Sequence, residues 1–168
     1  MQKSLNKLHY CMHLIETKLH FISNKVNPFL LLYKIPYLKR RMKKIHGTDN
    51  PLKWYNDFWT NEKDGFGINY FTHALLVGVL YLIFISIGII IISFIKPEIV
   101  LNEYYFISLG VVSFIICHYL VFRNDVYLKY FDEFKNWTKT ERRINTLSSI
   151  IFIIFTIILF FQSLINFY

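Results

Sequence analysis

The chain has 168 residues, a mean hydropathy of +0.35 and a formal net charge of +8. That apolar content excludes an ordinary small soluble domain, and the length leaves room for one domain plus a few membrane spans. The positive charge is concentrated early, with twelve Lys/Arg against five Asp/Glu in residues 1–69, which points to anionic headgroups ahead of nucleic acid as its counterpart.

In chain order, the first element is amphipathic. Leu5, Leu8, Met12, Ile15, Leu19 and Ile22 recur at alternating spacings of three and four between Ser4 and Ser23, a helical stripe that needs a partner. Phe29 to Leu38 is apolar but short and broken by Lys34 and Pro36, so it reads as interfacial or packed on a neighbour. Pro51 after the potential cap Asn50 opens an aromatic helix with Trp54, Tyr55, Phe58 and Trp59 that ends before Asp64-Gly65 and lies along the inner membrane surface. Residues 1–69 thus form a basic, aromatic inner-side (matrix or cytoplasmic) segment. No cleavable signal is readable, because the first long apolar run begins near Tyr70.

Residues 70–168 form the membrane domain. Tyr70 to Ile95 is uncharged and would rise about 39 Å as a helix, beyond the roughly 30 Å hydrocarbon core. Tyr104 to Phe122 and Ile144 to Tyr168 also carry no charge, which places spans at about 70–95, 104–122 and 144–167. The loop from Lys96-Pro97-Glu98 to Glu103 holds one base and two acids, whereas Arg123 to Arg143 holds six bases and four acids. The positive-inside rule then puts the N-terminus inside and the C-terminus outside. Val126, Tyr127, Tyr130, Phe131 and Phe134 predict an amphipathic continuation of the second span to about Trp137, with its aromatics at headgroup level. Thr138 and Glu141 have capping-box spacing, which starts the third helix at Lys139. The fold expected is all-α: an integral membrane protein with three transmembrane helices plus amphipathic or interfacial helices in the N-terminal segment.

Few residues carry chemistry. His9, His13, Glu16 and His20 share one helical stripe and are candidates for a divalent metal; the alternative is the solvated border of the apolar stripe. Lys39, Arg40, Arg41, Lys43 and Lys44 form the densest charge and are assigned to lipid headgroups, each base contributing about 1 kcal/mol near an anionic surface. Nucleic acid is the lesser reading of that run, since no recognised module surrounds it. Arg41 and His46 resemble the Arg-x4-His pair of HEPN-type ribonucleases, but no four-helix soluble domain surrounds them and the pair is read as a chance match; no catalytic residue is assigned. His73 and His118 lie near the inner ends of the first two spans and are candidates for a cofactor or proton relay; the alternative is two interfacial histidines hydrogen-bonded within the protein. Cys11 and Cys117, the two cysteines, are not expected to pair. Ala74 and Gly78, with Gly88 and Gly110, mark close helix approaches. The spans contain no Asp or Glu, which disfavours an ion-coupled transporter.

Phe, Tyr, Met, Ile, Asn and Lys make up 83 residues and Gly, Ala, Arg and Pro only 16, a skew typical of an AT-rich genome. In composition and topology the chain resembles the small, organelle-encoded inner-membrane subunits of ciliate-type mitochondria. That resemblance implies a non-catalytic structural or assembly subunit of a respiratory-chain or ATP-synthase complex, with other membrane subunits and cardiolipin as partners. AT-rich bacteria and phages show the same bias, so a bacterial inner membrane is the alternative location. A self-associating pore of holin or defence-effector type is the second functional expectation, with Ser86, Ser93, Ser108 and Ser113 as its thin polar stripe. The third is a haem-bearing anchor similar in topology to those of succinate dehydrogenase. No cofactor is expected; haem or a metal is the lesser alternative, haem belonging to the third reading.

Overall fold

The fold was analysed on a computed structural model that describes residues 1–95 and 102–167. All regular structure among them is helical: α1 (Gln2–Val26), α2 (Pro36–His46), α3 (Pro51–Thr60), α4 (His73–Ile95), α5 (Glu103–Cys117), α6 (Val126–Lys135) and α7 (Lys139–Phe167). The expected outer loop at Lys96, Pro97 and Glu98 lies outside the described residues. Three helical stretches, Gly67–Ile95, Glu103–Lys135 and Lys139–Ile165, are long and apolar enough to cross a membrane. The chain is an all-α integral membrane protein.

Two compact units form, Met1–Met12 with His73–Tyr168, and His13–Thr72. This division differs from the boundary expected at residue 69, because the first turns of α1 belong with the spans.

In the first unit, α4 packs against α7 and α5. The covered face of α7 consists of Ser149, Thr156 and Ser163, seven residues apart, while Ile151, Phe155, Ile158 and Phe161 are exposed. Small residues let helix backbones approach, and hydrocarbon replaces water around the large side chains. Each hydroxyl is satisfied by its own helix: Ser149 donates to Asn145 O at 2.9 Å, Thr156 to Phe152 O at 2.9 Å and Ser163 to Phe160 O at 2.7 Å. The capping box at the start of α7 is formed, with Thr138 N–H donating to Glu141 Oε2 at 2.8 Å and Glu141 N–H to Thr138 Oγ1 at 3.2 Å.

The second span does not continue straight into α6. Its helix widens into a π turn at His118–Phe122 and then breaks at Asn124 and Asp125, whose φ angles are +55° and +53°. Short polar side chains tolerate this left-handed backbone better than most. After the break, α6 buries Tyr127, Phe131 and Phe134 against His9 and Tyr10 of α1.

The second unit holds the rest of α1, a 3₁₀ turn at Pro28–Lys34, α2, α3 and a π turn at Gly67–Thr72. Asn50 caps α3 as expected, accepting from Lys53 N–H at 3.1 Å. None of the residues in Pro28–Lys34 is buried.

Candidate functional site

The stripe of polar residues on α1 is buried, not solvated. His9, His13 and His20 are covered, as is Asn6 at the same helical spacing, whereas Leu19 and Ile22 of the apolar stripe are exposed. The four expected metal candidates nevertheless divide between the two units, with His9 in the first and His13, Glu16 and His20 in the second. Among the described residues no three His, Cys, Asp or Glu side chains gather in a metal-holding cluster.

In the first unit His9 stacks on His73, ring centroids 4.9 Å apart and planes at 23°. Tyr127 meets both rings edge-on at 5.3 Å, and Phe122 packs 4.2 Å from His73. The partner of His73 is therefore His9. His118 is exposed and packs on Phe114 and Tyr119 instead. Asn6, which sequence reasoning passed over, donates to Gln2 O at 2.9 Å and to Leu120 O, inside the π turn, at 3.1 Å. A π turn shifts the carbonyl register, and a side-chain amide at that point satisfies an acceptor in the protein interior. Cys11 and Cys117 are both free and buried. Burial pushes the Cys11 thiol above its ordinary value, partly offset by the hydroxyls of Ser149 and Thr146.

In the second unit His20 stacks on Trp59 at 4.8 Å and 11°. Its Nε2 lies 3.1 Å from Asn56 Oδ1 and 2.9 Å from Asn24 Nδ2, and Asn24 also donates to Asn56 at 2.9 Å. Trp59 Nε1–H donates to Glu16 Oε1, while Glu16 Oε2 and Thr17 Oγ1 are buried without a hydrogen bond among the described residues. Gly67 makes room for this carboxylate, since a Cβ there would sit 2.7 Å from Glu16 Oε2. Desolvation raises the Glu16 carboxyl above its usual range, opposed by Trp59 and by the charge of His20.

The basic run lies on α2, and Lys39, Arg40, Arg41, Lys43 and Lys44 are all exposed. Lys43 pairs with Asp49 at 2.7 Å and holds that carboxyl below its ordinary value; the other four form no ion pair among the described residues. Gly47 ends the helix in the left-handed conformation, φ +66°, leaving the bases on a single terminal turn and a half. His46 packs on Trp54 with centroids 4.2 Å apart. Five residues along one helix rotate by about 140°, so Arg41 and His46 leave α2 in different directions.

Of the small residues, Gly88 receives the Tyr105 hydroxyl and Gly110 faces Tyr81. Ala74 is exposed and Gly78 borders open space, so that pair makes no close helix approach among the described residues.

The arrangement defines a three-span helical membrane protein in which His9 and His20 are buried in ring contacts and the basic run of α2 is exposed. Comparison with family models, with curated proteins and with solved structures finds no match.

Proposed function

We propose that the chain is a non-catalytic structural subunit of a larger membrane complex, its spans inserted N-terminus inside and C-terminus outside, in the mitochondrial inner membrane. The observation that carries this reading is the uncovered apolar run between α1 and α2. Val26, Phe29, Leu31 and Tyr37 are exposed outside any span, Phe29 at 72%. Contiguous exposed apolar surface of this kind marks an interaction site, and neighbouring subunits or lipid would cover it. The serines weigh against a pore. Ser86, Ser93, Ser108 and Ser113 each donate to a carbonyl of their own helix, and Ser86 and Ser113 are buried within the protein.

The deciding experiment is extraction from the native source in mild detergent, followed by a native gel and mass spectrometry of the co-migrating proteins. Several different membrane proteins in one band support the subunit reading, and a band containing this chain alone overturns it. For orientation, protease added outside sealed vesicles should spare an N-terminal tag and remove a C-terminal one.

A further inference from the structure

The first unit contains a cavity of about 290 Å³ between the first turns of α1, the inner part of α4 and the start of α7. Leu5, Leu8, Leu80 and Phe152 give it an apolar interior, and Lys7 and Ser148 stand at its polar side. Its size falls just below that of small-molecule clefts, about 300–1,000 Å³, which leaves room for part of one acyl chain.

Depth and charge identify the occupant. The apolar part of α7 begins at Ile144, so Phe152 lies about 12 Å further along the helix axis at 1.5 Å per residue. The cavity therefore runs from the headgroup level through most of one hydrocarbon leaflet, about 15 Å thick. No Asp or Glu lines it, and Lys7 is exposed and forms no ion pair among the described residues. The Lys7 stem can lie along the apolar wall with its ammonium at the interface, where a phosphate would meet it. Ser4 and Ser148, both exposed, add hydroxyl donors at the same rim.

We propose that this cavity is a binding site for one acyl chain of an anionic phospholipid whose phosphate is held by Lys7. No residue of the basic helix α2 lines the cavity, and the site does not depend on the chain having protein partners.

The test is native mass spectrometry of the full-length chain in detergent, given equal amounts of phosphatidylglycerol and phosphatidylcholine with identical chains. One phosphatidylglycerol should be retained in preference. Lys7→Gln, at an exposed position that leaves the packing untouched, should lower that preference about fivefold, the factor one lysine contributes near an anionic surface. Ser148→Trp should fill the cavity and remove the retained lipid whatever its headgroup. Lys39→Gln with Arg40→Gln on α2 should leave the retained lipid in place. Equal retention of the two lipids, an unchanged preference in Lys7→Gln, loss of the lipid on changing α2 alone, or equally firm retention of free glycerol 3-phosphate would each overturn the proposal.

Discussion

His9 and His73 stack with ring centroids 4.9 Å apart, joining the beginning of the chain to the beginning of the first span. The contact bridges 64 positions of sequence, and the edge-on Tyr127 ring closes it from α6. Three segments that are remote in sequence thus meet in one aromatic cluster, which orients the first turns of α1 on the membrane helices.

Truncating that cluster should loosen the attachment. His9 is fully buried, so His9→Ala leaves a cavity lined by rings and should cost about 2–3 kcal/mol. Thermal unfolding in detergent, followed by near-ultraviolet circular dichroism of the clustered aromatics, measures this. A variant that melts with the wild type would show that the stack contributes nothing.

Glu16 gives the second unit a pH dependence with a definite sign. Its folded-state pKa is raised, chiefly by desolvation, so the folded chain binds more protons than the unfolded one as pH passes between the two values. The contribution is full below the unfolded pKa and is lost as pH rises through the folded one. Glu16→Gln keeps an acceptor for Trp59 and should flatten the profile above about pH 4, where the unfolded carboxyl ionises first. Trp59 emission in a Trp54→Phe, Trp137→Phe background reports it; a Gln variant with the same pH slope as its parent would remove Glu16 as the source.

Gly88 and Tyr105 should behave as a coupled pair. A Cβ at residue 88 would overlap the Tyr105 hydroxyl, and that hydroxyl is itself buried without a hydrogen-bond partner among the described residues. Because the far end of a side chain can swing aside, Gly88→Ala should cost only about 1 kcal/mol. Tyr105→Phe should be neutral or stabilising and should absorb the cost of Gly88→Ala in the double variant. Additive losses in the cycle would contradict the contact.

The two faces of α7 should respond oppositely to size. Thr156 is buried, so Thr156→Leu wedges the helices apart and should cost about 1–3 kcal/mol. Phe155 is exposed, and Phe155→Leu should stay within about 0.5 kcal/mol. Unfolding of each variant in the same detergent ranks them, and equal losses would mean that the assignment of the faces is wrong.

Local signals were legible in the sequence and long-range ones were not. The three apolar runs, the Asn50 cap and the Thr138–Glu141 box depend on neighbouring residues only, and each appears where the spacing places it. The aromatics of α6 suit a headgroup interface and a protein interior equally well, so their burial against Tyr10 had no local signature. The break at Asn124-Asp125 carries only the general tolerance of Asn and Asp for left-handed backbone. On α1 the apolar stripe is covered only in its first half, at Leu8 and Met12, because ring contacts of His9 and His20 turn the polar stripe inward while Leu19 and Ile22 stay outside. Asn6 was detectable, since it lies three residues before His9 on the same buried face, but a lone polar residue there gives no hint of the π turn it serves.

The hydroxyl seam of α7 separates two kinds of evolutionary freedom. On the lipid side, Ile, Phe and Leu are nearly interchangeable, because hydrocarbon distinguishes little among them. A mutational bias toward such residues can run through those positions while the helix arrangement persists. The memory of the fold then resides in Ser149, Thr156 and Ser163, and sequences that share little else with this chain could still share its architecture if they keep small hydroxyl residues at that interval.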